Sequence, residues 1–479
     1  MKYALFAAAA LLSVAGVAAS QPRGLVVDSV VLPPSLIEKS KVMPVPLDAR
    51  VPTHYEVLPE LHMAQVMASD GVDGPAHKIG VARAVAATSS VAQVQSALQW
   101  SPLPSGQQVA AINIQSTGAY GLRAGVLVDS LPDDALLRIY SQENPNAILE
   151  HSGADVNALL ERNRQAGESG PAARTWWTPD VGAGDTTLEV VLPAGSDPGA
   201  MRISIPLVSH IYENLSIPTD IEWAARNEAA PNQAGPSESC RQDVTCTDDY
   251  QSERNAVAFM VFTDQNGSTF QCTGTLLNNA KGDFAPYFLT ANHCISTQAV
   301  ASTMNTGWFF RSNSCNSRSP IATWQTRHAG ATLLYASDMT DSSLLRLNEM
   351  PPEGVTYAGW SADAAVPVGQ DIYGLHHPGA DLLKYSVGTV SDHVSCQSTG
   401  DRGISCDPED PDGGFYAVSW GEGRTEGGSS GSALFSEGRV IGSLYGSNSR
   451  CIAPKGHSYY GRFDKFFADG ASQWLAAEQ

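Results

Sequence analysis

Apolar and polar residues alternate over short runs along most of this chain. Between residues 91 and 210 the runs "QQVAAINIQS", "YGLRAGVLVDS", "ALLRIYSQ", "TTLEVVLPAG" and "MRISIPLVSHIY" each last about one strand and are divided by Gly, Pro and Asp. Alternation with turn residues at each break predicts strands, and the series predicts a β-sandwich-like unit at about 91–215. A second series follows residue 240: "AVAFMVFT", "CTGTLLNN", "PYFLTANHC", "SLLRL", "DIYGLHHP", "FYAVSW", "SALFS" and "RVIGSLYGS". An all-β stretch of this length is a sandwich or a pair of barrels, and the final "GASQWLAAEQ" reads as a short helix. Two segments break the pattern. Residues 21–90 are rich in proline ("VVLPPSLIEK", "VMPVPLDARVP") and read as an irregular arm. Residues 225–239, "ARNEAAPNQAGPSES", lack periodicity and read as a linker open to cleavage.

Composition narrows the class. The 479 residues predict two or three units. With 49 acidic against 29 basic side chains, the surface repels nucleic acid and anionic membranes, and neither is expected as a partner. The opening "MKYALFAAAALLSVAGVAASQPRG" has a basic start, an apolar run and small residues around Ala19 and Ser20. That is a signal peptide over residues 1–20, so a secreted protein, or a periplasmic one, is expected. All eight cysteines (240, 246, 272, 294, 315, 396, 406 and 451) lie in the C-terminal half. An even number in an exported chain predicts four disulfides, with on the order of a hundred possible pairings.

The candidate chemistry starts from "TEGGSSGSALF" at 425–435. A serine hydroxyl needs a base and donors for the developing oxyanion, and glycine lets backbone N–H groups come close to a substrate. A flexible Gly/Ser run is by itself as well read as a linker, but here it enters an apolar strand directly. His293 in "YFLTANHC" supplies a base at a strand end. Asp341 in "TDSSLLRL" supplies a carboxylate, with Asp338 as a competitor. The order His293, Asp341, Ser430 is that of the chymotrypsin-type arrangement. Ser429 also fits a G-x-S-x-G elbow, but the acid and histidine an esterase would need do not follow it in order. No H-E-x-x-H occurs, His376 and His377 diverge along a strand, and "CDPEDPDGG" lacks calcium-loop spacing, so no metal and no cofactor are expected.

Taken together, "FLTANHC", "DSSLLRL" and "GSSGSA" resemble the catalytic blocks of trypsin-like serine peptidases. The chain is most similar to the bacterial lysyl endopeptidase branch, which also has a long N-terminal propeptide. The resemblance spans roughly residues 237–468 and includes "HHP" at 376–378 and "YGR" at 460–462. It implies two Greek-key six-stranded β-barrels with a short C-terminal helix at 236–479, preceded by a β-rich propeptide at 21–235. It implies the triad His293, Asp341 and Ser430, with the backbone N–H groups of Gly428 and Ser430 as the oxyanion hole. It also implies the disulfides Cys240–Cys451, Cys246–Cys315 and Cys272–Cys294, which leave Cys396 and Cys406 to close a small loop. Polypeptides would be the substrates, the chain's own propeptide its folding aid or inhibitor, and the enzyme a monomer.

The positions that would read the P1 side chain are where the chain departs from that pattern. The substrate-pocket positions implied are Arg424, Tyr445, Gly446 and Ser458. Ser458 stands where a lysine-reading member carries Asp, and Ser429 stands where many trypsin-like enzymes carry the Asp that pairs with a freed N-terminus. Lysine, a small or uncharged residue, and an acidic residue read by Arg424 or His457 all remain open at P1. A secreted binding protein on an inactive trypsin-like fold is the non-enzyme alternative.

Overall fold

Every apolar run of the C-terminal series becomes a strand, and the pairing of those strands decides where the site can be. The computed structural model describes residues 25–34, 46–47, 50–62, 76–215, 240–399, 404–449 and 455–476. Six strands close on themselves: Asp371–His376, Lys384–Ser398, Phe415–Glu422, Ser458–Arg462, Arg439–Ser447 and Ala433–Ser436, with the last pairing back to the first. Closure removes free edges, and the inward positions Val418, Leu434, Leu444 and Tyr460 fill the interior.

The preceding strands form a second, half-closed barrel. Their order is Gln325–Arg327, Asn305–Trp308, Val257–Thr263, Thr269–Leu277, Tyr287–Ala291, Ser342–Leu347 and Ala331–Ser337. Among the described residues the first and last of these do not pair. Val257–Thr263 is buried along its whole length, which matches its unbroken apolar run. The closing helix is present as the turns Phe463–Phe466 and Ser472–Leu475, whose Phe466 and Leu475 pack into the core beneath both barrels.

The N-terminal half is two facing sheets around one core. One holds Thr53–Val57, Gln108–Gln115, Asp185–Leu192, Leu136–Tyr140 and Leu149–Ser152; the other holds Thr175–Trp177, Gly121–Ser130, Arg202–Ile211 and His77–Ala84. Ile112, Ile139 and Val190 of the first meet Leu122, Val126 and Val208 of the second. Helix Gly153–Gln165 starts at a capping box between Ser152 and Asp155.

The expected irregular arm at 21–90 is corrected by the structure: its described residues include four strands. Val26–Val27 pairs with Trp360–Ser361, and Val30–Val31 pairs with Thr356–Tyr357. Thr53–Val57 and His77–Ala84 join the two N-terminal sheets. These strands are short and find their partners far along the chain, so local periodicity does not reveal them. His77–Ala84 also crosses between the halves: one edge pairs with Arg202–Ile211, the other with Thr269–Gln271 of the half-barrel. The signal peptide and the 225–239 linker lie outside the described residues.

Candidate active site

The seam between the barrels collects the candidate residues, and strand register puts them there. Tyr287–Ala291 and Ser342–Leu347 pair so that Ala291 faces Ser342. His293, two residues past one end, and Asp341, one residue before the other, must therefore be neighbours. The His293 Nδ1 to Asp341 Oδ2 distance is 2.5 Å, and Asp341 Oδ1 accepts the His293 backbone N–H at 2.9 Å. The Asn292 N–H donates to the Asp341 carbonyl at 3.0 Å. Asp341 has φ +46°, a left-handed value uncommon for a non-glycine residue, at the turn that aims its carboxylate. A Cβ at Gly461 would strike the Thr340 carbonyl, so glycine in "YGR" lets this turn lie against the closed barrel. Asp338, the competing acid, accepts instead from Asn292 Nδ2 at 2.6 Å. The other imidazole nitrogen, Nε2 of His293, is buried and has no hydrogen-bond partner among the described residues.

Ser430 comes from the closed barrel, in the loop before Ala433–Ser436. Its carbonyl accepts from the Thr273 N–H at 2.9 Å, which ties the loop to the half-barrel strand next to Cys272. Cys272 is bonded to Cys294, the neighbour of His293. One short covalent and hydrogen-bonded path thus links Ser430 to the turn of His293. The glycines of the loop have separate reasons. Gly428 has φ +90° and an added Cβ would collide with Gln271 Oε1; Gly431 has φ +80° and an added Cβ would collide with Thr290 Oγ1. The Gly428 carbonyl accepts from Thr273 Oγ1 at 2.8 Å and Gln271 Nε2 at 3.1 Å.

Ser429 is committed elsewhere. It is fully buried, its hydroxyl lies 2.8 Å from His376 Nδ1, and it accepts the Glu426 N–H at 3.1 Å. His376 Nε2 in turn meets Ser386 Oγ at 3.0 Å, while His377 Nδ1 meets the Asp381 carbonyl at 3.0 Å. Burial drives the pKa of His376 down to about 3 and of His377 to about 4, so both are neutral supports. The sequence reading set His376 aside only as a metal ligand; in the structure its ring packs behind the loop against Ser429.

Ser458, one of the expected pocket positions, sits in a cluster of neutral groups. Ser458 Oγ lies 2.8 Å from Thr425 Oγ1, accepts Trp420 Nε1–H at 2.8 Å, and lies 3.1 Å from Ser447 Oγ. Ser447 and Ser458 face each other across the barrel ladder, two residues beyond Tyr445, whose ring centroid is 6.1 Å from that of His293. Trp420, Thr425 and Ser447 carried no sequence signal for this role. Glu426, the nearest acid, is held by Arg241 NH2 at 2.6 Å. Burial disfavours the Arg241 charge, but Glu426 and Asp381 outweigh it and raise its pKa. Arg424 donates to the Gly423 carbonyl, its buried Nε has no partner among the described residues, and burial lowers its pKa. His457 Nδ1 rests between Ser391 Oγ at 3.1 Å and Ser419 Oγ at 3.2 Å.

A disulfide-stapled hairpin roofs the Tyr445 side. Cys396 and Cys406 pair within it, Ile404 lies so close to Gly446 that a Cβ there would collide, and Ser398 bonds Tyr445. Cys246–Cys315 is formed as well. Cys240 is disulfide-bonded, while Cys451 lies outside the described residues. Cys272, His293 and Cys294 have donor atoms close enough for a metal, but the two sulfurs are joined to each other.

Two family models together match most of the chain. The lysyl endopeptidase C-terminal domain matches residues 234–461, and the lysyl endopeptidase N-terminal domain matches residues 55–212. A lysyl endopeptidase of Pseudomonas aeruginosa is 34% identical over 376 residues, which cover 74% of this chain and 72% of the relative. Solved structures overlap more loosely. The MamO protease domain of Magnetospirillum magneticum is 11% identical, covers 46% of this chain and 98% of its own, and has a TM-score of 0.32. The Rv3671c protease of M. tuberculosis is 14% identical, covers 52% of this chain and 89% of its own, and has a TM-score of 0.33. The chain belongs to the lysyl endopeptidase family and is a serine endopeptidase.

Proposed function

We propose that Ser430, His293 and Asp341 are the catalytic triad of a secreted endopeptidase. Ser430 Oγ attacks the scissile carbonyl carbon as His293 Nε2 takes its proton. The C–N bond then breaks, with the same proton passing to the leaving amine, and water repeats the sequence on the acyl-enzyme. Asp341 fixes the imidazole tautomer and supports its charged form. The Gly428 and Ser430 N–H groups receive the oxyanion. The observation that carries this reading is the His293 Nδ1 to Asp341 Oδ2 contact of 2.5 Å, with Nε2 left without a hydrogen-bond partner. Replacing Ser430 by Ala is expected to lower kcat by about 10⁶-fold with the fold retained, as for other triad nucleophiles. Ser429→Ala should keep activity and lose stability instead. Loss of activity in Ser429→Ala with activity kept in Ser430→Ala overturns the assignment.

At P1 the pocket favours an uncharged side chain. Thr425, Ser447, Ser458 and Trp420 satisfy one another with neutral hydrogen bonds, and Glu426 is taken by Arg241. A lysine ammonium there would be desolvated without a carboxylate, which is costly. Arg424, which has no carboxylate partner among the described residues, favours an acidic P1 as the second reading. Digestion of a peptide library varied at P1 separates the two, and a strong preference for lysine contradicts both.

The domain reading that goes with this is a signal peptide at 1–20, a propeptide at 21–235 that aids folding and restrains the enzyme, and a monomeric peptidase at 236–479. No helix among the described residues is long and apolar enough to cross a membrane. N-terminal sequencing of the exported protein should give a start near residue 235. A start near residue 21 in the active protein contradicts the propeptide reading.

A further inference from the structure

The half-barrel has a short free edge next to Ser430, and the N-terminal half occupies it. Strand Thr269–Leu277 is paired along one side by Val257–Thr263. On its other side Thr275–Leu277 pair with Tyr287–Ala291, whereas Thr269, Phe270 and Gln271 pair with Gly80, Lys78 and His77. Without the N-terminal half those three residues would present bare backbone donors and acceptors, a ready edge for an extended peptide. The edge leads straight into Cys272 and Thr273, the residues tied to the turn of His293 and to the Ser430 carbonyl. Gln271 braces the Gly428 carbonyl, and the His77 ring lies over Gly427, 3.4 Å from where a Cβ would stand.

The loop thus has two sides. Its Thr425 end meets the Ser458 cluster, and its Gly427–Gly428 end meets Gln271 and His77. A substrate whose P1 side chain enters the Ser458 cluster carries its chain beyond the scissile bond over the Gln271 edge. We propose that the N-terminal half inhibits by strand addition on this leaving-group side, with His77–Gly80 taking the edge that serves substrate residues after the scissile bond.

A buried polar seam holds the strand in place. Arg123 of the N-terminal half is fully buried and donates to Thr263 Oγ1 at 2.8 Å and to the Thr303 carbonyl at 2.6 Å. Ser209 Oγ lies 2.7 Å from Thr269 Oγ1. Both contacts dock the sheet that carries His77–Ala84 against the half-barrel.

This inference rests on the triad reading, and the test separates the two. The full-length chain, with residues 216–239 shown intact by mass, is compared with the peptidase released from it by cleavage in that stretch. Two substrates share the same residues before the scissile bond: an anilide with nothing beyond the leaving group, and a quenched peptide with four residues beyond it. Strand addition predicts that the full-length chain loses about 100-fold in kcat/KM on the long peptide and only a few-fold on the anilide. Arg123→Met in the full-length chain should narrow that gap. Equal suppression of both substrates, or of neither, overturns strand addition. Absence of anilide turnover by the released peptidase counts against the triad reading instead.

Discussion

The two barrels of the peptidase differ in how they manage their edges. The C-terminal barrel pairs Ala433–Ser436 back onto Asp371–His376 and is complete in itself. In the N-terminal one the first and last strands, Gln325–Arg327 and Ala331–Ser337, do not pair among the described residues, and at a separate place a strand from the other half of the chain pairs with Thr269–Gln271. Each contributes to the site according to that difference. The closed barrel supplies Ser430 and the Ser458 cluster on a loop braced from behind by His376 and Arg241. The open barrel supplies His293 and Asp341 at paired strand ends, and beside them a backbone edge paired by the N-terminal half.

That contrast can be broken by substitution, most strongly at the open barrel's acid. Asp341→Asn removes the acceptor that fixes the imidazole while leaving the strand register intact, and kcat should fall by about 10⁴-fold with an unchanged circular dichroism spectrum. A loss below tenfold would mean that Asp341 does not orient His293.

Next come the disulfides. Replacing Cys272 and Cys294 by Ser should cost about 2–4 kcal/mol of stability and reduce activity, because this bridge joins the free-edge strand to the His293 turn. The same change at Cys396 and Cys406, which close a loop with a sequence separation of only 10, should lower stability less and act on binding through Ile404 and Gly446. Denaturant melts of both variants rank the two bridges, and the reverse order contradicts the account.

The smallest effect concerns pH. Burial holds His376 neutral down to about 3, against an ordinary value of 6.5. Below about 6.5 the unfolded chain binds a proton there that the folded chain refuses, so stability falls as pH drops from about 6.5 towards 3. His376→Asn should be less stable at pH 7.5 yet lose less on acidification, with His377, held at about 4, keeping part of the slope. Melting temperatures of both proteins between pH 4 and 8 test this; parallel curves contradict it.

What the sequence made readable was local. His293, Asp341 and Ser430 each sit in a short string whose residue types state the chemistry, and the strands that carry them are unbroken apolar runs. What it concealed depends on partners distant in the chain. His77–Ala84 looks like part of an arm until Thr269–Gln271, nearly two hundred positions away, gives it an edge. Thr425, Ser447 and Trp420 are ordinary residues until the ladder brings them to Ser458. The sequence does not show that Glu426 is held by Arg241, which lies far from it in the chain. Helix Gly153–Gln165 was the avoidable omission: Ser152 and Asp155 at capping-box spacing, followed by Val156, Leu159, Leu160 and Asn163 on one face, announce it.

The central claim is that the open barrel's His293 activates the closed barrel's Ser430 and not its neighbour. Treating the released peptidase with a serine-directed phosphonate and mapping the adduct by peptide mass spectrometry tests it most directly. The account predicts a single adduct on Ser430, strongly slowed in Asp341→Asn. An adduct on Ser429, or none in a protein that still cleaves peptides, would contradict it.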